Sequence, residues 1–202
     1  MADIPDIYHR RSIRLKGYDY TQPGAYFVTI CIQDRDYLLG AIRGAQMILN
    51  EAGAMLARWW TELPHKFPAV EIDEYMVMPN HFHGVVVIVD PNPAGADHVV
   101  ADHAGAAHVG ADLRVRPGAG THTGAGTHVG VPLPTVMQWF KTMTTNEYIW
   151  GVKQYGWAPF RGKLWQRNYY EHIIRDQNDL DRVRRYIRHN PLNWQKDREF
   201  NA

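Results

Sequence analysis

The chain is 202 residues long, 45% hydrophobic, and carries a formal net charge of +1. That is enough apolar material for one core with an insertion, and the near-neutral balance excludes a generally basic coat for nucleic acid. A lone cysteine, Cys31, excludes an internal disulfide framework and a cysteine-based zinc site, and the absence of a secretory signal or a membrane-length apolar run makes cytoplasmic residence the expectation.

Arg10, Arg11, Arg14 and Lys16 cluster first along the chain, a local patch that can steer a phosphate backbone without a high overall charge. Residues 25–32, Ala-Tyr-Phe-Val-Thr-Ile-Cys-Ile, are rich in β-formers and predict a strand. From about Gln46 to Leu63, the residues Ile48, Ala52, Met55, Leu56, Trp59 and Leu63 recur at steps of three and four, which predicts a helix that Pro64 ends. Residues 69–78 predict a second strand and residues 82–89 a third, with Met78-Pro79-Asn80 as the turn between them.

Residues 91–131 are different in kind. Gly, Ala, His and Val recur in near-repeats without apolar periodicity, which predicts a flexible insertion that builds no core. Its histidines, at 98, 103, 108, 122 and 128, are either a metal-binding tract or a low-complexity expansion. Residues 134–150 predict a helix with Val136, Met137, Phe140, Met143 and Tyr148 inward and Lys141 outside. Leu164-Trp165-Gln166 predicts a short strand, with Trp165 read as either a core residue or a base-stacking platform. Asp176 is the expected cap of a last helix that runs to Asn190, where Pro191 stops it. This order of elements implies one α+β domain over residues 1–202, interrupted at 91–131, with an antiparallel sheet and helices packed on one face.

The chemistry concentrates in Asn80-His81-Phe82-His83-Gly84. In a strand, His81 and His83 point the same way and Phe82 points the other way into a core. On a helix the same spacing would turn the imidazoles about 200° apart. Two imidazoles on one strand face make half of a divalent-metal site. In the last helix Leu180, Val183 and Ile187 form an apolar stripe, and Tyr186 and Asn190 lie one turn apart at its edge. A phenol has a pKa near 10 and attacks a phosphodiester poorly unless a cation offsets the charge that develops. The amide oxygen of Asn190 suits a third ligand position, and the donor set admits Mg²⁺ or Mn²⁺. Tyr169 and Tyr170, beside Glu171-His172, are rival nucleophiles. The residue chemistry by itself divides the choice between Tyr186 and Tyr170.

Three ordered segments together resemble the REP-associated tyrosine transposases of the single-tyrosine HUH superfamily. They are Met78-Pro79-Asn80-His81-Phe82-His83-Gly84, then Leu164-Trp165-Gln166-Arg167-Asn168-Tyr169-Tyr170-Glu171-His172-Ile173-Ile174-Arg175, then Arg185-Tyr186-Ile187-Arg188-His189-Asn190-Pro191. The resemblance implies a ferredoxin-like sheet, and Mg²⁺ or Mn²⁺ held by His81 and His83 with Asn190 completing the set. It implies that Tyr186 rather than Tyr170 is the nucleophile, and that single-stranded DNA is cut beside a palindromic hairpin to leave a 5′-phosphotyrosine. Arg10, Arg11, Arg14, Lys16 and Arg167 are the expected DNA contacts, in a bacterial, nucleoid-associated monomer or homodimer that stays off the membrane. Two other readings compete: a non-catalytic single-strand binder on the same fold, and a metallohydrolase in which metal-bound water attacks. The His/Gly/Ala insertion is a departure from the family pattern.

Overall fold

The computed structural model describes residues 17–90 and 131–196; the N-terminal basic cluster and the histidine-bearing insertion lie outside the described residues. The first strand, β1 (Gly24–Cys31), is buried on both sides. Its near-continuous apolar run is what a strand covered on two faces requires. Strands β2 (Gly40–Arg43) and β3 (Gln46–Leu49) form a small separate hairpin. Gly44 and Ala45 turn it with φ values of 55° and 62°, the left-handed pair that a two-residue hairpin turn uses.

That hairpin corrects the predicted start of the first helix. Helix α1 (Glu51–Thr61) begins at Asn50, whose Oδ1 accepts from the Gly53 amide at 2.9 Å. The cap interrupts the three-and-four spacing that Ile48 opens, and leaves residues 46–49 to pair as a strand. Pro64 does not simply end the helix; it starts one further turn, α2 (Leu63–Lys66), where a missing N–H costs nothing. Strands β4 (Val70–Val77) and β5 (His81–Ile88) then pair antiparallel, with Val77 opposite Phe82 and a bulge between Ile72 and Tyr75.

Helix α3 (Leu133–Tyr155) runs a turn and a half beyond its predicted end, because nothing breaks it before Gly156 at φ 70°. The fourth sheet strand is β6 (Tyr170–Ile174), not residues 164–166, which contribute a single bridge from Trp165 to Ile32. The half-polar composition of Tyr170-Glu171-His172 hid an edge strand, whose outer side needs no apolar cover. Helix α4 (Gln177–His189) starts where predicted, with Asp176 Oδ1 accepting from the Asp179 amide at 2.8 Å.

The sheet order is β4-β5-β1-β6, antiparallel throughout. Strand, helix, strand, strand, helix, strand in that order is the split βαβ arrangement, so the α+β, ferredoxin-like expectation holds. Alternation on the strands makes two faces. Tyr26, Val28, Ile30, Phe82 and Val86 pack under α1 and α3. Ala25, Phe27, Val85 and Ile174 form a smaller cluster under Leu180, Val183 and Ile187 of α4. Placing every helix on one face was therefore correct for α1 and α3 only. The stripe on α4 covers the opposite face.

Candidate active site

Strand β5 delivers the two histidines by simple alternation. Phe82 points into the larger core, 4.6 Å centroid to centroid from Trp60. Gly84 belongs to that face as well: a Cβ there would stand 2.4 Å from the Trp60 ring. His81 and His83 point the other way, toward α4, and both are buried. Their Nε2 atoms are 2.9 Å apart. His81 Nδ1 lies 2.8 Å from Asn80 Oδ1, and His83 Nδ1 lies 2.8 Å from Thr29 Oγ1 across the β1–β5 register. Burial, with a smaller contribution from the Arg35 charge, pushes His81 down to about 3, so its imidazole is neutral at neutral pH.

Helix α4 brings the other two groups. Its apolar stripe seats it on the sheet, and two arginines tie it to the β4 bulge. Arg184 grips Asp73 through two nitrogens, at 2.8 and 2.6 Å, and Arg188 Nε meets Glu74 at 2.7 Å. Arg182, on the same helix, pairs with Asp179 at 2.6 Å. So held, α4 sets Tyr186 Oη 3.5 Å and Asn190 Nδ2 3.2 Å from His83 Nε2. Asn190 is buried, whereas Tyr186 is 47% exposed, open to a long polymer approaching from solvent. The Phe27 ring supports both sides of this arrangement, stacked on His83 at 5.5 Å and edge-on to Tyr186 at 5.8 Å.

The donor set suits a small octahedral cation. Two nitrogens each about 2.1 Å from one ion, at a right angle, stand about 3.0 Å apart, and the two Nε2 atoms are 2.9 Å apart. Among the described residues no group of three or more His, Cys, Asp and Glu could hold a metal. A third protein ligand there has to be of another type, and a half-turn of the Asn190 carboxamide would present its oxygen.

The other expected site residues fall in distinct places. Tyr170 lies on the same sheet face as His83, but it is exposed on the edge strand and its ring meets Phe27 at 6.3 Å. Beside it, His172 Nε2 is held by Asp179 at 2.8 Å. Arg167 is exposed in the loop before β6, whose carbonyls at 166 and 167 accept from Lys141 Nζ at 2.6 and 3.1 Å. Lys141 is therefore turned inward rather than outside, and burial is the main cause that pushes it down to about 8. Trp165 is a core residue, buried with its Nε1 donating to Thr144 at 3.0 Å, and offers no platform for a base. Arg10, Arg11, Arg14 and Lys16 lie outside the described residues. The roles of Thr29 and Phe27, and that of Asn80 in holding His81, escaped the sequence reading. So did Trp194, which stacks on His81 at 5.9 Å. Only the position of Asn80 next to the histidine pair could have flagged any of them.

No protein-family model matches the chain. An uncharacterized protein of Haemophilus influenzae (strain ATCC 51907 / DSM 11121 / KW20 / Rd) is 37% identical over 197 residues, covering 96% of this chain and 94% of its own length. Among solved structures, a REP-associated tyrosine transposase bound to a REP hairpin aligns with 90% of this chain and 73% of its own, at 18% identity and a TM-score of 0.49. A protein of Deinococcus radiodurans R1 described as a transposase aligns with 87% of this chain and 96% of its own, at 15% identity and a TM-score of 0.41.

Proposed function

We propose, for this chain, which belongs to one family with the Haemophilus influenzae protein, the activity of a metal-dependent, site-specific endonuclease and strand transferase of single-stranded DNA. It acts at palindromic hairpin elements and passes through a covalent 5′-phosphotyrosine, the chemistry of DNA transposition. One observation carries the reading: Tyr186 Oη stands 3.5 Å from His83 Nε2, across 103 residues of sequence, and that nitrogen stands 2.9 Å from His81 Nε2. A phenol open to solvent beside two buried imidazoles is an uncommon pairing unless the three serve one reaction. The hairpin preference rests on the three sequence motifs.

In this reading Tyr186 Oη forms a bond to phosphorus as the bond from phosphorus to the 3′ oxygen breaks. The phenol loses its proton, and the released strand ends in a 3′ hydroxyl that has gained one. One phosphate ester replaces another, so the reverse attack by a 3′ hydroxyl rejoins DNA without ATP. His81, His83 and Asn190 would hold Mg²⁺ or Mn²⁺, which when bound supplies Lewis-acid stabilisation to the crowded, charged phosphate. Phe27 fixes the plane of His83 and the rim position of Tyr186, while the Arg184–Asp73 pair keeps α4 from sliding. Arg167 is available for the phosphates that flank the cut.

The test is a denaturing gel of the full chain mixed with end-labelled hairpin oligonucleotides, with Mn²⁺ and with EDTA. The expected result is a protein–DNA adduct that needs metal and disappears in Tyr186→Phe, while hairpin affinity survives. Cleavage without any adduct would point to attack by water, and binding without metal-dependent nicking to a non-catalytic single-strand module. Either overturns the proposal, as does an adduct that survives in Tyr186→Phe and is lost in Tyr170→Phe.

A further inference from the structure

The two histidines are held in chemically unlike ways on the side away from their shared space. Asn80 Nδ2 donates to the Arg35 carbonyl at 3.3 Å, which turns its Oδ1 toward His81 Nδ1 at 2.8 Å. A carboxamide oxygen only accepts. His81 therefore carries its proton on Nδ1 and presents a lone pair at Nε2. His83 Nδ1 instead meets the Thr29 hydroxyl at 2.8 Å, and a hydroxyl both donates and accepts. Thr29 is buried on the central strand and sits opposite His83 in register, so water does not readily take its place.

These partners fix where the protons go. Two facing lone pairs 2.9 Å apart repel, and the spacing is instead that of a hydrogen bond. With His81 unable to supply the proton, His83 Nε2 donates it, the Asn190 carboxamide, whose Nδ2 stands 3.2 Å away, turning its oxygen to that nitrogen, and His83 Nδ1 becomes an acceptor for Thr29. To present two lone pairs to one ion, His83 must carry its proton on Nδ1 instead, and Thr29 must accept it. Asn80 could not serve both arrangements, whereas a hydroxyl serves both by rotating about one bond.

We propose that Thr29 is a positioning residue whose hydroxyl, by reversing from donor to acceptor, converts His83 from the hydrogen-bond partner of His81 into the second nitrogen ligand of a divalent cation. This rests on the reading of His81 and His83 as a metal pair. It makes Thr29 the device that spares the two imidazoles from repulsion before the ion arrives and orients them once it has.

Thr29→Val keeps the shape and removes the hydroxyl, and Thr29→Ser keeps the hydroxyl. Mn²⁺ affinity of the full chain, free of DNA, is measured by titration calorimetry and by electron paramagnetic resonance. Thr29→Val is expected to bind Mn²⁺ about 10- to 100-fold more weakly, the usual cost of losing a group that orients a ligand histidine. Thr29→Ser is expected to bind nearly as wild type does. Ring-nitrogen NMR of the wild-type protein needs no variant and remains decisive if Thr29→Val does not fold. It should find the His83 proton on Nε2 without metal and on Nδ1 with diamagnetic Zn²⁺. Wild-type protein that binds no Mn²⁺ would overturn the metal pair itself. Wild-type binding with an unchanged Thr29→Val, an equal loss in Thr29→Ser, or a His83 proton on Nδ1 before metal is added would overturn the role of Thr29 alone.

Discussion

The two faces of the sheet are made by the same strands and solve opposite problems. Under α1 and α3, Tyr26, Trp60, Phe82 and Phe140 pack into a large aromatic core. Under α4, the apolar cluster is small, and next to it Thr29, His81, His83 and Asn190 are buried although polar. Burying polar groups is costly unless each finds a partner, and here Thr29 and Asn80 hydrogen-bond the two imidazoles. The first face stabilises the fold largely by area removed from water. The second uses part of that stability to hold reactive groups away from water, at one turn of a helix whose Tyr186 stays open to it.

That contrast is most directly broken at Tyr186. Replacing it with Phe removes one oxygen from the rim of the second face, so covalent capture of DNA should vanish, read on a denaturing gel, while the urea midpoint moves little. Phe82→Ala, on the opposite face of the strand that carries the histidines, should do the reverse. A cavity under Trp60 is expected to cost about 3–5 kcal/mol of unfolding free energy, with the surviving folded fraction still forming the adduct. If Phe82→Ala abolished the adduct in fully folded protein, the two faces would not be separable.

Asp73→Asn comes next. It removes the two-point anion from the largely buried Arg184 and leaves it the longer contact to Asp181 at 3.4 Å, which should cost about 3 kcal/mol in urea unfolding. It should also slow adduct formation, because α4 carries Tyr186 and Asn190. A smaller effect should appear with acid. His81 ordinarily titrates near 6.5 and is pushed down to about 3 when folded. Between those values the unfolded chain takes up a proton that the folded one refuses, so stability falls as pH drops through that window. Asp179 adds to the loss at lower pH. Burial raises it, but hydrogen bonds from His172, Arg182 and the Arg175 amide more than offset that and hold it below the usual carboxylate range. A urea midpoint that stays level from pH 7 to 4.5 would contradict a buried neutral His81. Least of all, Arg188→Ala should cost under about 1 kcal/mol, since that arginine is half exposed. A loss as large as that of Asp73→Asn would mean that the outer pair, not the inner one, anchors α4.

The legible parts of this molecule were those governed by short-range periodicity. Alternation in His81-Phe82-His83 placed two imidazoles on one face and a ring on the other, and the stripe of Leu180, Val183 and Ile187 set the buried side of α4. The cap of α4 was legible as well, since Asp176 accepts from the Asp179 amide within one turn. The hairpin of β2 and β3 was not. Its residues carry a helix-like apolar spacing, and only the turn at Gly44 and Ala45 with the cap at Asn50 decides against the helix. Strand β6 was missed because an edge strand with one exposed side shows too few apolar residues to declare itself.

The sequence by itself determined which side chains share a face within each element, because local geometry repeats every two or every 3.6 residues. It also carried the three motifs from which a transposase chemistry was read. Which elements meet was decided only by tertiary structure. Thr29 reaches His83, Asp73 holds Arg184 and Tyr186 approaches His83 across separations of 54, 111 and 103 residues. No local period encodes contacts of that length. They arise because α4, finding one sheet face already covered by α1 and α3, buries its stripe on the other face, where the histidines point.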